Sequence, residues 1–377
     1  MSAPRPERPS GWVLGHVAGA PVILARSWLL AAVVLTLVFA PSVQTWTGGG
    51  GGALPYVVAL VFVVLLFASV LVHELAHGLV AKARGQQPHA FVLTLWGGHT
   101  TFGGAAATPL TSALVAVVGP VANLVLAAGF LLVADHMVPD GTLLQTMLRA
   151  GALANGFVGL FNLVPGLPLD GGRILEAAVW AATRDRHRGT VAAGWTGRVV
   201  AVGVLLAALV RPWLAGTTPD LVTVAWAALI GAFLWSGASA AVRAGRSGRA
   251  VDALTLRTVG RPAVVVGAQA SLAQARATAA AAQTAEVVVL APDGRPAAYV
   301  DTEAAARVPA ELAGTTNVVA VSTPLPVGAV VDGALTGDAL LRALSAASAH
   351  GPVVAALVDG RVVALVRTSD VVAALRG

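Results

Sequence analysis

His73-Glu74-Leu75-Ala76-His77 places two imidazoles and a carboxylate within one helical turn. Residues four apart share a helix face, so His73 and His77 can grip one metal ion together. Glu74 stands beside them as a general base. The chemistry this set supports is metal-assisted hydrolysis, with zinc as the ion and a polarised water as the nucleophile. Such a centre takes three protein ligands, an open position and a base, so one ligand must come from elsewhere in the chain. The surroundings sharpen the reading. From Pro55 to His73 there is no charged residue. An ionisable group at membrane depth is costly and marks a functional site.

The elements that must position this motif are membrane spans. Apolar residues make up 56% of the chain, charged residues 11%, and the mean hydropathy is +0.79. Six apolar segments approach the roughly 20 residues that cross a bilayer. They run from Ser27 to Val43, Pro55 to Ala81, Leu110 to Ala134, Gln145 to Leu167, Trp195 to Leu209 and Leu221 to Val242. Loop charges orient them. Lys82, Arg84, Arg173, Arg184, Arg186, Arg188, Arg198, Arg243, Arg246 and Arg249 fall on one side. The loops from Ser42 to Leu54 and from Asp135 to Gly141 carry no Lys or Arg. The positive-inside rule then puts both termini in the cytoplasm and the HELAH motif toward the cytoplasmic face. The net charge of +6 is scattered between spans, which points to a membrane surface and not to nucleic acid. The Ala-, Gly-, Val- and Arg-rich composition suggests a bacterial source. With no cysteine, disulfides and thiolate metal sites are excluded.

Two further segments bear on the centre. Alternation around Gly97-Gly98, within Phe91 to Gly104, predicts a short re-entrant β-hairpin beside the motif. Backbone of that kind is tolerated at membrane depth only against protein or a wet cavity. In Asn162 to Arg173, Pro165 and Pro168 break the helix at the cytoplasmic end of the fourth span. Asp170 follows that break and is the best candidate for the third ligand.

After Arg249 the chain becomes soluble-like. Val264 to Val266, Glu286 to Leu290, Val318 to Val321, Val353 to Val358 and Val362 to Val366 read as strands. Leu272 to Gln283, Ala339 to Ala349 and Thr368 to Leu375 read as helices. Asp293-Gly294 and Asp359-Gly360 are turn dipeptides. The order strand, helix, strand, turn, strand, helix recurs, which suggests two similar modules. The expected fold is a six-span α-helical membrane domain over residues 1–249, with a short re-entrant hairpin, followed by a soluble α/β domain over 250–377.

HELAH paired with N-L-x-P-x-x-P-L-D-G-G at Asn162 to Gly172 resembles the site-2 protease family of intramembrane zinc metalloproteases, peptidase family M50. Gly15 to Val22, with Ser27-Trp28, resembles the start of its six-span bacterial branch, whose members end in a pair of CBS modules. Gly119-Pro120-Val121-Ala122-Asn123 resembles that family's G-P-x-x-N. The resemblance implies one Zn2+ held by His73, His77 and Asp170, with Glu74 as catalytic base. It implies substrate contacts at Asn162 and Asn123, and an unwound substrate added as a strand at Gly97-Gly98. The implied partners are a membrane-protein substrate, the lipid bilayer and a second copy joined through the CBS domains. The implied reaction is regulated cleavage of a transmembrane or membrane-associated protein, such as an anti-sigma factor or sigma-factor precursor. CBS pairs often take adenine nucleotide, and Asp370 matches the ribose-contacting acid. Arg367, however, stands where that element has a hydroxyl, and Asp301 to Ala304 departs at both key positions, so a structural or partner-binding role stays open. The alternative reading of the whole chain is a CBS-regulated transporter or channel.

Overall fold

The computed structural model describes residues 11–46, 52–94, 97–104 and 107–376. The chain divides into two compact units, Met1–Gly245 and Arg246–Gly377.

The first unit begins with two strands, β1 (Gly11–Val17) and β2 (Ala20–Ala25), before α1 (Ser27–Trp46) and α2 (Leu54–Ala83). Then come β3 (Gln86–Thr94) and β4 (Gly97–Gly104), α3 (Pro109–His136), α4 (Leu143–Asn162), α5 (Asp170–Thr183), α6 (Arg186–Leu214) and α7 (Leu221–Asp252). Among the described residues five helices, α1, α2, α3, α6 and α7, are long and apolar enough to cross a membrane. Much of their surface is lipid-like: Leu29, Leu30, Val33 and Leu37 on α1 are each half or more exposed. A soluble protein would bury such a face. This is a membrane protein.

Of the six expected spans, α4 is the one that falls outside this set. It carries Gln145, Arg149, Asn155 and Asn162 among its apolar residues, and these lower its hydropathy. Its first turns are polar for a reason: Arg149 pairs with Asp135 of α3 at 2.8 Å, and Gln145 donates to Ala134 O and Asp140 Oδ1. The segment that begins at Asp170 is also helical, as the amphipathic α5, where the sequence reading placed no element.

β3 and β4 pair antiparallel from Gln86↔Gly104 to Thr94↔Gly97. They belong to a four-stranded sheet, ordered β1-β2-β3-β4, in which β2 runs parallel to β3. The sequence reading anticipated the β3–β4 pair but not the two N-terminal strands. Phe91 anchors the sheet. It is fully buried with Ala20, Val22, Leu71 and Leu75. Its ring lies where any Cβ on Gly78 of α2 would stand, so that glycine admits it. Gly97, at φ +111°, opens β4 in a conformation that other residues rarely adopt.

The second unit holds α8 (Leu256–Val259), β5 (Gly260–Gly267), α9 (Leu272–Ala281), β6 (Glu286–Leu290), β7 (Pro296–Val300), α10 (Thr302–Ala306), β8 (Ser322–Pro324), β9 (Val330–Asp332), α11 (Gly337–Ser348), β10 (Val353–Val358), β11 (Arg361–Arg367) and α12 (Thr368–Arg376). Its seven-stranded sheet is ordered β8-β7-β6-β5-β11-β10-β9. The expected repeat is visible in the pairing. β5 lies parallel to β6, which pairs antiparallel with β7; β9 lies parallel to β10, which pairs antiparallel with β11. Each half closes with a helix, α10 or α12. Asp359 and Gly360 both take positive φ in the β10–β11 turn, as an Asp-Gly hairpin requires. Val318–Val321 is a 3-10 turn and not the expected strand. Asn317 caps it by accepting from Val319 N, which commits the backbone to a turn despite three valines.

Candidate metal centre

α2 carries the first three functional side chains. His73, Glu74 and His77 are all buried, at 7 to 8% relative exposure. The chain between α4 and α5 brings the fourth. Pro165 and Pro168 keep residues 163–169 out of a helix, and α5 restarts at Asp170, its first residue. Gly171 and Gly172 let that restart pack tightly. A Cβ on either would strike backbone of Leu163 and Val164, or of Gly166 and Leu167. Asp170 therefore projects from the head of α5 onto the HELAH face.

Three ligand atoms converge there. His73 Nε2 lies 3.0 Å from His77 Nε2 and 3.1 Å from Asp170 Oδ2, and His77 Nε2 lies 3.3 Å from the same oxygen. These residues form a group able to hold a metal ion. The far side of each ring settles its tautomer. His77 Nδ1–H donates to Val115 O at 2.6 Å, an atom that can only accept. His73 Nδ1–H donates to Asn123 Oδ1 at 2.5 Å, while Asn123 Nδ2 donates onward to Asn155 Oδ1 at 2.8 Å. With both Nδ1 atoms engaged in these outer hydrogen bonds, each ring turns its Nε2 toward the carboxylate oxygen. Three electron-rich atoms so close together repel unless a cation sits among them. Zinc fits the donors: bonds of about 2.0–2.2 Å in a tetrahedron put ligand atoms on the order of 3.3 Å apart. The Nδ1 acceptors are the outer hydrogen bonds that orient metal-binding histidines.

Two glycines make the space. A Cβ on Gly119 of α3 would come within 3.0 Å of both His77 Nε2 and His73 Nε2, so that residue leaves the metal face open. A Cβ on Gly98 of β4 would collide with the Glu74 side chain. β4 thus runs directly along the base, and Thr100, two residues on, donates Oγ1–H to Glu74 Oε2 at 2.8 Å.

The residues expected to act together separate into groups. His73, His77 and Asp170 meet. Asn123, expected to touch substrate, is instead 1% exposed and fully engaged with His73 and Asn155. Its amide oxygen accepts from His73 and its amide nitrogen donates to Asn155, both inside the protein. Asn162, at the end of α4, donates to Val158 O within its own helix and makes no hydrogen bond to the three ligands. Asn155, Thr100 and Val115 were not singled out in the sequence, because only the approach of α3, α4 and β4 gives them a role.

In the second unit Asp370 is half-buried and paired. Arg261 grips it with Nε at 2.8 Å and Nη2 at 2.9 Å. That contact holds the Arg261 guanidinium above its usual range. Arg367, at the position of the nucleotide element's hydroxyl, donates to both oxygens of buried Glu286. The acid that would take a ribose is already paired, and the expected hydroxyl is a cation. These residues depart from the nucleotide element at its hydroxyl position and pair its acid within the unit.

Comparison with known proteins follows this geometry. The model of Peptidase family M50 matches residues 135–206, a stretch that includes Asp170 and the break before it. "Putative zinc metalloprotease sll0528" of Synechocystis is 32% identical over 247 residues, covering 64% of this chain and 62% of that protein. "Putative zinc metalloprotease Rip3" of Mycobacterium tuberculosis is 37% identical over 237 residues, covering 60% and 57%. The resemblance to peptidase family M50 holds. The chain spans less than two thirds of the length of these relatives. Among solved structures, a site-2 protease from Methanocaldococcus jannaschii matches 61% of this chain and 94% of its own at 24% identity and TM-score 0.42. The CBS domain of a bacterial CNNM/CorC family Mg2+ transporter matches 36% and 87% at 15% identity and TM-score 0.27.

Proposed function

We propose that this chain is a zinc endopeptidase that cuts a transmembrane or membrane-associated protein within the bilayer, of the kind that releases a regulator such as a sigma factor. The observation that carries the reading is the triangle of three lone-pair donors, 3.0 to 3.3 Å on a side, on an apolar helix beside a buried carboxylate. His73, His77 and Asp170 would hold the metal. When bound, zinc polarises a water and the scissile carbonyl. Glu74 takes the proton from that water and passes it to the departing amine nitrogen. The residue beside each ligand keeps it aimed: Asn123 for His73 and the Val115 carbonyl for His77.

A helical substrate hides its peptide carbonyls in its own hydrogen bonds, so it must unwind before hydrolysis. β4 is the last strand of its sheet, and its outer edge offers backbone partners for an added strand next to Glu74. Gly98 lets that strand lie against the Glu74 side chain. On this reading β3 and β4 re-enter the membrane, and α4 makes the sixth crossing with its polar residues turned to α3. Six crossings and the basic loops put both termini in a bacterial cytoplasm. The second unit is a CBS pair that acts through protein contacts, by gating substrate or pairing two copies, and not by holding nucleotide. The likeness to a Mg2+ transporter is confined to its CBS domain, so the reading as a regulated transporter gains no support from it.

The test is comparison of membrane proteomes from cells carrying the wild-type chain or Glu74→Gln. The variant keeps zinc and accumulates an uncut membrane protein. Equal processing by both would remove Glu74 from the mechanism.

A further inference from the structure

The Glu74 carboxylate is held from one direction by a strand that belongs to another part of the fold. Thr100 Oγ1–H donates to Glu74 Oε2 at 2.8 Å, and Glu74 is 8% exposed. Side chains alternate along a strand, so Gly98 and Thr100 share the face of β4 that looks at Glu74. Gly98 presses bare backbone against the Cγ, Cδ and Oε1 atoms, while Thr100 hydrogen-bonds the other oxygen. The carboxylate is therefore confined between a wall and a donor, both supplied by β4.

The position of Thr100 is itself fixed. It pairs across the ladder with Phe91, which is fully buried and seated on Gly78, one residue beyond His77. The same helix thus carries the base and anchors the strand that orients it. A slip of one residue between β3 and β4 would turn the hydroxyl to the opposite face.

We propose that Thr100 is a positioning residue for Glu74, and that its hydroxyl ties the orientation of the base to β4, the strand along which substrate is added. This rests on the proteolytic reading above. A base must lie within hydrogen-bond reach of the proton it takes, and a displacement on the order of 1 Å costs about 100-fold. An untethered Glu74 can rotate away from the ligand triangle while the three ligands stay in place. The loss then falls on turnover and not on zinc or on substrate capture, since β4 keeps its backbone edge.

The experiment uses the full chain, zinc-loaded in proteoliposomes, with Thr100→Val, which keeps shape and loses the donor, and Thr100→Ser, which keeps the donor. Cleavage of fluorescein-labelled casein and binding of a peptide hydroxamate, a zinc-directed ligand that also meets the base, are measured together with zinc content. Thr100→Val should lower kcat about 10- to 100-fold, change KM less than about 2-fold, and leave zinc at wild-type content. Thr100→Ser should return kcat to within about 3-fold of wild type. Hydroxamate binding should weaken about 10-fold on Thr100→Val in the wild-type background, and less than about 2-fold in a Glu74→Gln background. Unchanged kcat and hydroxamate affinity in Thr100→Val would overturn the proposal. So would a loss of zinc, a loss that serine does not restore, or an equal loss with and without Glu74. If wild type binds hydroxamate with this coupling but cleaves no protein, the positioning role stands and the proteolytic reading fails.

Discussion

Two clusters of charged and polar side chains, one in each unit, are built on opposite principles. In the first unit His73, His77 and Asp170 turn three electron-rich atoms toward one another, and every hydrogen that could relieve them points away to Asn123 or Val115. In the second unit Arg261, Glu286, Arg367 and Asp370 form two cations against two anions, at 2.8 to 3.6 Å. The first cluster has the arrangement of a group that could hold a cation. The second is complete as it stands. An aspartate thus belongs to a candidate metal site in one place and to a structural brace in the other, and the sign balance of the surrounding atoms tells them apart.

Substitutions test the contrast in order of size. Gly119→Val should have the largest effect, because it sets carbon against both ligand nitrogens at under 3.0 Å. Zinc content of the purified chain should fall to near zero while the helical circular dichroism persists. Retention of zinc would mean that the metal face lies elsewhere. Asn155→Leu removes the acceptor for Asn123 without touching a ligand. A loosened outer hydrogen bond should weaken zinc about 10- to 100-fold, measured by competition with a chromophoric chelator. An unchanged affinity would make the Asn155–Asn123–His73 chain a packing feature only.

The brace in the second unit should respond in stability and not in ligand binding. Arg367→Met leaves buried Glu286 with only Arg261, 3.6 Å away, and should destabilise the unit by about 1–3 kcal/mol in urea unfolding. Asp370→Ala breaks a half-exposed pair and should cost less, about 0.2–1 kcal/mol. An Asp370 loss larger than the Arg367 loss would reverse the assignment of which pair braces the sheet. Calorimetric titration of the full chain with AMP or ATP should give no binding heat at millimolar nucleotide. A micromolar Kd abolished by Asp370→Ala would show that Arg261 yields the acid to ribose.

What could be read in the sequence follows from how local the signal is. The His73–His77 face is set by helical spacing alone, and Asp170 stood out because Pro165 and Pro168 expose a carboxylate at a helix break. The apolar spans were visible from composition. α4 was read as a span like the others and falls outside the apolar set because Gln145 and Arg149 serve the turn at its start and Asn155 accepts from Asn123. Asn123 was read as a substrate contact because a motif names a residue but not its partners, which lie on α2 (His73) and α4 (Asn155). The N-terminal strands were missed because β2 finds its parallel partner, β3, only after two helices have intervened. The Val318–Val321 segment was misread because a β-branched run looks extended until Asn317 caps it as a turn. The repeat in the second unit was legible because its period-two strands and Asp-Gly turns are local.

The central claim is that the chain needs one cation at His73, His77 and Asp170. Elemental analysis of the protein purified without chelator tests it most directly, on wild type, Glu74→Gln and Asp170→Ala. The account predicts about one zinc per chain in the first two and a small fraction of that in Asp170→Ala. One zinc per chain in Asp170→Ala, or none in wild type, would contradict it.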